Sequence, residues 1–481
     1  MATDGEKIKA IKGIVDPKNI KSDPQILSAH AVDGVMPWAV VFPESLEQVS
    51  DLVRLAQKEN LALVPWGSGS KMSIGHPPSR LDLVMGLTDL NKIMDINRNN
   101  LTVTVQSGVR FKDIQKILAV QENGSHNHRE NHIPDTNQPV STDKQNRGCF
   151  IPMAPPHSHS ATIGGIISAN SAGPIRLLYG LPRDIVLGLR YVASNGETIG
   201  IGGKTVKNVS GYDMCKLLIG SYGSLGILCE MTLRLLPLPE RLGTFLLFFP
   251  TLAGASDFIE RVFDTNLLPA AVELLNCCAY SFLAPEGFYE FGSDGYVVAV
   301  GLEGFEEDVR RMAHEIGIIA SESGAGENLY LKEDQHGLFW DAYSNKVSEL
   351  SHRYPNLVSI KLNYPISNSH KVMELVDSLI KEAQLEYGVV THAGSGVTLI
   401  HFLDKSGDHE TINRIISVTR KLLDHCRRIG GNLVVERVRP EVKQRFPIWG
   451  ELREDHIVMR RIKQEMDPSG IFSPGRFVGG I

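Results

Sequence analysis

Pro65-Trp66-Gly67-Ser68-Gly69-Ser70-Lys71-Met72-Ser73-Ile74-Gly75 follows directly on the apolar run Leu61-Ala62-Leu63-Val64. This reads as a buried strand entering a loop with three Gly and three Ser among the nine positions 67–75. A loop without bulky side chains lets backbone N–H groups come close to an anion, so the stretch predicts a pyrophosphate cradle. Two common nucleotide loops do not fit it. Gly67-Ser68-Gly69 lacks the third glycine of a dinucleotide fingerprint, and no ribose-binding acid is evident. No Gly-Lys-Ser/Thr stands at Walker spacing either. Taken alone, a plain tight loop explains the stretch as well.

Around this loop, residues 40–120 alternate short apolar strands with amphipathic helices. A strand ends at Val40-Val41-Phe42-Pro43. Ser45 then opens a helix with Gln48 at capping-box spacing, and Val49, Leu52, Val53 and Leu55 recur at helical intervals. Strands follow at 82–85 and 101–105, then a short helix at 111–118. Residues 121–148 are almost wholly polar and read as a long surface loop or insertion whose His126, His128 and His132 are solvated. Leu189-Arg190-Tyr191-Val192-Ala193 followed by Asn195-Gly196 predicts a hairpin. Pro237 and Pro239 interrupt the chain, and a domain boundary is expected near 240. Beyond it, strands at 245–249, 296–301, 357–362 and 397–402 alternate with helices at 256–263, 306–316 and 370–383, which fits a split β-α-β layered domain. Further helices are expected at 410–428 and 458–466.

With 481 residues, two or three domains are expected. Hydrophobic content of 42% and charged content of 22% are those of a globular protein. A net charge of −6 gives no nucleic-acid footprint. No signal peptide and no transmembrane run is read from the sequence. The six cysteines, Cys149, Cys215, Cys229, Cys277, Cys278 and Cys426, contain no Cys-x-x-Cys. They read as free thiols of a reducing cytosol, with no ligand set for an iron–sulfur cluster. A cytoplasmic location is expected, with any membrane association made through a partner.

Three further stretches rich in small residues accompany the Gly67 loop. One runs Ala161-Thr162-Ile163-Gly164-Gly165-Ile166-Ile167-Ser168-Ala169-Asn170-Ser171-Ala172-Gly173. The others are Gly203-Lys204-Thr205-Val206-Lys207-Asn208-Val209-Ser210-Gly211-Tyr212-Asp213 and Gly220-Ser221-Tyr222-Gly223-Ser224-Leu225-Gly226-Ile227. In this order, with the terminal Asp467-Pro468-Ser469-Gly470-Ile471-Phe472-Ser473-Pro474-Gly475-Arg476, the chain resembles the FAD-linked oxidoreductases of the vanillyl-alcohol oxidase/p-cresol methylhydroxylase superfamily. The likeness is to their glycolate oxidase/D-lactate dehydrogenase branch, and to its FAD-binding subunit type.

The resemblance implies an α+β fold: a two-subdomain FAD-binding domain of the p-cresol methylhydroxylase type over residues 1–240, a ferredoxin-like α+β cap over 241–440, and a segment at 441–481 returning to the FAD domain. It implies that Pro65, Trp66 and Gly67 to Met72 wrap the FAD pyrophosphate. Thr162, Gly164, Gly165, Ala169, Asn170 and Gly173 would line the pyrophosphate and isoalloxazine, Gly226 and Ile227 the adenine side, and Pro474, Gly475 and Arg476 would return to the flavin. FAD is expected to be non-covalent, His76 and Cys149 being the nearest attachment candidates.

The cap departs from the pattern. Relatives carry His-x-Gly-Asp-Gly-Asn-x-His and a later Glu-His-Gly as a metal site. Here the stretches are His392-Ala393-Gly394-Ser395-Gly396-Val397-Thr398-Leu399 and Glu436-Arg437-Val438. His392 and Glu436 are too few ligands for a divalent ion, and no metal is expected. His401 shares a strand face with Leu399. Arg437 is read either as a carboxylate ligand or as a bridge to Glu436. Tyr343 stands where relatives have Arg, and Lys346 and Lys361 remain as cations.

The function this implies is oxidation of a small 2-hydroxy acid, glycolate or D-lactate in type, with His392 as base and Arg437 or Lys361 on the carboxylate. Electrons would pass to an iron–sulfur subunit, an electron-transfer flavoprotein, a related flavoprotein subunit or quinone. Two other readings are a non-catalytic or electron-relaying FAD-binding subunit and an oxidase using oxygen.

Overall fold

A computed structural model describes residues 4–120, 148–203 and 212–481. The polar stretch 121–147, with its three histidines, and residues 204–211 of the third small-residue element, Lys207 included, lie outside the described residues.

Among the described residues the N-terminal half holds two larger sheets and a two-stranded ribbon of Cys149–Phe150 with Leu236–Pro237. In the first, the strands Ala39–Val41, Leu83–Gly86 and Leu63–Trp66 are parallel neighbours, with Ile20–Lys21 antiparallel at the edge. Helix Leu46–Glu59 covers them with Val49, Leu52 and Val53, three of the four residues whose helical spacing marked it, and with Ala56; the fourth, Leu55, is only partly buried. Ser45 Oγ accepts from the Gln48 N–H, and Gln48 Oε1 accepts from the Glu44 N–H, so the capping box reaches one residue further back than its usual form. The second sheet is antiparallel, in the order Ile93–Asn97, Thr102–Gln106, Ile227–Arg234, Val186–Val192, Thr198–Gly202. Its last pair is the Asn195-Gly196 hairpin, with Gly196 at φ +78°.

The second half of the chain builds one eight-stranded antiparallel sheet. From edge to edge it runs Asn328–Lys332, Arg241–Phe249, Tyr296–Gly304, Ala271–Asn276, Tyr387–His392, Val397–Phe402, Val358–Asn363, Asn432–Arg437. Numbered by their own chain order, the first four strands stand as 4-1-3-2 and the last four as 2-3-1-4. Each set has a helix after its first strand, Leu252–Phe263 and Ser369–Glu382, and one before its last, Glu306–Glu322 and His409–Arg428. Two ferredoxin-like β-α-β-β-α-β units are thus joined through their second strands. The sequence reading expected one such layer. It missed the strands Ala271–Asn276 and Tyr387–His392, which form the seam.

All four helices lie on one face of the sheet, where Phe258, Ile316, Val376 and Ile415 meet Val300, Ile360, Ile400 and Val435 in a single core. Because strand side chains alternate, Glu273, Val390, His392, Leu399, His401, Ser359 and Lys361 occupy the opposite face. That face carries the chemistry.

The C-terminal tail returns to the first sheet. The Leu63 N–H donates to Ile471 O and the Ser473 N–H to Leu63 O, so the tail runs alongside the strand that feeds the Gly67 loop. Asp467 anchors it: its carboxylate accepts from the Ile471 and Phe472 N–H groups and from Lys463 Nζ at 2.6 Å.

Candidate active site

Two adjoining cavities share Ser70, Lys71 and Pro156 in their walls. The first belongs to the N-terminal half. Of the residues singled out in sequence, Pro65, Trp66, Gly67, Ser68, Gly69, Ser70, Lys71, Met72, Thr162, Gly164, Gly165, Ala169 and Gly226 line it, and Gly173 lines the second. Asn170, Ile227, Pro474 and Gly475 line neither. Ile227 is fully buried in the sheet core, where strand pairing with Val192 fixes its side chain away from the cavity. Of the three terminal residues expected at the flavin, Pro474 and Gly475 pack on Ser79 and only Arg476 reaches the cavity wall. Its guanidinium donates to Met72 O at 2.8 Å and Ile74 O at 2.9 Å, bracing the loop from below.

The first cavity fits an extended dinucleotide carrying a pyrophosphate. The N–H groups of Ser68, Gly69, Ser70 and Lys71 have no acceptor within the described residues, so four neighbouring donors are left for an anion. Gly67 has no room for a Cβ, which would run into Thr162 Oγ1, and Gly69 sits at φ +80°. Ser107, a wall residue not foreseen from sequence, is buried with its hydroxyl unpartnered. Tyr222, at φ +51°, and Gly223 complete the wall. His76 and Cys149 line neither cavity. All six cysteines are free thiols, five of them buried and Cys278 half-buried.

The second cavity lies between that floor and the bare face of the eight-stranded sheet. His392, at the end of its strand, is buried, and its Nδ1 lies 2.7 and 2.8 Å from the two carboxylate oxygens of Glu273 across the seam. The Tyr343 hydroxyl donates to the same carboxylate. A carboxylate only accepts here, so His392 Nδ1 carries the proton and Nε2 presents its lone pair to the cavity. Burial, then the Glu273 charge, push the Tyr343 phenol well above its usual range, so it stays a donor.

Glu436 does not pair with Arg437. Its carboxylate lies 3.3 Å from Lys361 Nζ and 3.8 Å from Lys71 Nζ. Burial alone would raise the Glu436 carboxyl, but the two ammonium groups outweigh burial and hold it at about 2. Lys361 is therefore an ion-pair partner, and Lys346 is held by Ala284 O at 2.7 Å. Arg437 is among the residues lining the cavity; it is partly exposed, and its side chain has no hydrogen bond or ion pair among the described residues. Arg176, also missed in sequence, interacts electrostatically with Glu273, Glu436 and Tyr343. Lys71, Lys361, Arg176 and Arg437 thus stand against Glu273 and Glu436, an excess of positive charge around His392.

His401 is buried on the same face. Its Nδ1 is 2.9 Å from Ser359 Oγ and its Nε2 is unpartnered. Burial lowers its imidazole to about 4, and does the same to His336 in the first unit. Both have folded values below the unfolded one near ~6.5. The unfolded chain therefore binds more protons between pH 6.5 and 4, and stability falls as pH drops through that window. The expected loss is about 2 kcal/mol per histidine at pH 5. Urea unfolding at pH 7.5 and pH 5 measures it, and His401→Asn should remove its share.

Among the described residues no group of three His, Cys, Asp or Glu could hold a metal ion, and no helix is long and apolar enough to cross a membrane.

The family description "FAD binding domain" matches residues 37–132 and 137–213, and "FAD linked oxidases, C-terminal domain" matches 238–477. Glycolate oxidase subunit GlcD of Bacillus subtilis (strain 168) is 26% identical over 92% of this chain and 89% of its own length. D-2-hydroxyglutarate dehydrogenase of Stutzerimonas stutzeri (strain A1501) is 23% identical over 98% and 99%. D-lactate dehydrogenase of Archaeoglobus fulgidus is 24% identical over 96% of each chain. The fold matches a solved alkyldihydroxyacetonephosphate synthase (TM-score 0.75, 18% identity, 99% of this chain and 86% of that one). It also matches substrate-bound p-cresol methylhydroxylase (TM-score 0.69, 17% identity, 99% and 97%). Matched in chain order over most of its length, the chain belongs to the FAD-linked oxidases and is an oxidoreductase whose cofactor is FAD.

Proposed function

We propose that the protein oxidises a 2-hydroxy acid to the 2-keto acid, with FAD bound non-covalently. The observation that carries this reading is one lone-pair nitrogen, His392 Nε2, set in a cavity with an excess of cations and one unpaired guanidinium, Arg437. Bound FAD supplies the two-electron acceptor for the C2 hydride. His392 takes the hydroxyl proton at Nε2, and the buried Glu273 carboxylate stabilises the imidazolium that forms. Tyr343 holds Glu273 from its other side. Arg437 engages the substrate carboxylate. The Lys71–Glu436–Lys361 chain ties the Gly67 loop to the sheet and sets the spacing between cofactor and base.

The names of three relatives, two hydroxy-acid dehydrogenases and a glycolate oxidase subunit, support the substrate class. The word subunit supports an external acceptor, an iron–sulfur protein or electron-transfer flavoprotein. This chain's cysteines, five of six buried and all far from Cys-x-x-Cys spacing, suit no cluster of their own. The test is anaerobic mixing of the yellow protein with glycolate, D-lactate and longer 2-hydroxy acids, followed at about 450 nm, where oxidised flavin absorbs. Bleaching by at least one is expected. A flavin that none of them reduces leaves the relaying-subunit reading in its place.

A further inference from the structure

The walls of the second cavity are divided by chemistry. Apart from Ile74 of the loop side, the wall contains five larger aliphatic residues, all from the half of the chain that builds the eight-stranded sheet: Leu283, Val347, Leu357, Val390 and Leu399. They come from separate elements. Leu283 ends helix Cys277–Leu283, Val347 opens helix Val347–Arg353, and Val390 and Leu399 are direct cross-strand partners. Val390 lies two residues before His392 on the same face, so the aliphatic wall begins roughly 7 Å from the base, one strand repeat away. With about 4 Å taken up by van der Waals contact, the ~3 Å left is the span from a reacting C2 to the second or third carbon of its own side chain.

The charge count says what does not belong there. Of the charged residues only Lys71, Glu436 and Arg437 line the wall, and Lys71 faces Glu436; Lys361 pairs with Glu436 from behind it, and Arg176, which has no ion pair among the described residues, does not line the cavity. Arg437 is the one wall cation without an ion pair among the described residues, and the C1 carboxylate takes it. A second carboxylate on the substrate would meet the aliphatic wall or His401, whose imidazole is buried and unpartnered at Nε2. Neither offers a counter-charge, and an unpaired anion in such a place is costly.

We infer that the substrate is a 2-hydroxy acid with an aliphatic side chain longer than methyl, seated against Val390, Leu399 and Leu283, rather than glycolate or a dicarboxylate. This rests on the 2-hydroxy-acid reading above and narrows it. Each methylene buried against such a wall should improve the second-order rate of flavin reduction about fourfold.

The experiment is an anaerobic stopped-flow series of glycolate, lactate, 2-hydroxybutyrate, 2-hydroxyvalerate and 2-hydroxyisocaproate, with 2-hydroxyglutarate as the charged match to the longer chains. In parallel, dissociation constants are measured for the saturated acids without the hydroxyl, acetate through isocaproate, from the change they cause in flavin absorbance. The expected result is a rise in reduction rate of about fourfold per carbon beyond lactate and a matching fall in dissociation constant along the saturated acids, with 2-hydroxyglutarate reduced at least tenfold more slowly than 2-hydroxyvalerate. Leu399→Lys should invert that last ratio. Fastest reduction by glycolate or lactate, or by 2-hydroxyglutarate, overturns the inference and leaves the 2-hydroxy-acid reading standing. If no member bleaches the flavin, the reading itself falls. The saturated acids then decide the wall separately, flat dissociation constants counting against it.

Discussion

Replacing His392 with asparagine is expected to slow anaerobic flavin reduction by about 10²–10⁴-fold while the protein stays yellow. Asparagine keeps a polar group that can face Glu273 but has no lone-pair nitrogen of useful basicity to take the substrate proton. FAD retention is expected because His392 stands on the eight-stranded sheet, whereas the free N–H groups of Ser68 to Lys71 belong to the other half of the chain. Glu273→Gln should cost less than His392→Asn. The amide oxygen it introduces can still accept from Nδ1 and keep the ring oriented, but it brings no charge to meet the imidazolium. A His392→Asn protein that reduces its flavin at the parent rate would remove this residue from the chemistry.

Asp467→Ala is expected to lower unfolding free energy by about 3–5 kcal/mol. The carboxylate is buried and holds three donors, Lys463 Nζ and the N–H groups of Ile471 and Phe472. Lys463 in turn donates to Ser224 O and Phe472 O at 2.8 Å each. Removing Asp467 leaves an ammonium group in the interior with carbonyl oxygens alone, and two orphaned N–H groups. The same segment runs beside Leu63 and delivers Arg476 under Met72, so the loss should also loosen the pyrophosphate loop. Urea titration followed by tryptophan fluorescence reads the stability, and the ratio of flavin to protein absorbance reads the occupancy. A variant with unchanged midpoint and full flavin would show that the tail is held by something else.

The cofactor half of the fold was legible because its signals are local. A glycine-rich loop after an apolar strand, a capping box and an Asn-Gly hairpin each depend on neighbours in sequence, and fourteen of the residues expected around FAD line the first cavity. The failures there, Ile227 and Pro474 among them, are residues next to wall positions whose side chains the strand pleat or a turn sends elsewhere. The substrate half was less legible because its geometry is made across the seam. Glu273 and His392 are 119 residues apart, and no spacing rule links them. The one available signal was an acid inside the apolar run Ala271-Val272-Glu273-Leu274-Leu275, a charge that strand burial would not tolerate without a partner. Lys361 looked like an exposed cation for the same reason: its partner, Glu436, sits on a strand reached only through the sheet's pairing.

The seam also bears on how the working protein is made. The first ferredoxin-like unit contains Glu273 and can close its own four strands before the second has been synthesised. Until then its edge strand, Ala271–Asn276, carries unpaired backbone groups and a carboxylate without its imidazole. Arrival of Tyr387–His392 pairs that edge and brings His392 to Glu273 in one docking step. A chain released before residue 392 therefore keeps the open edge, and it also lacks the returning tail whose Arg476 braces the Gly67 loop. Joining of the two units and the meeting of this acid with its imidazole are the same event.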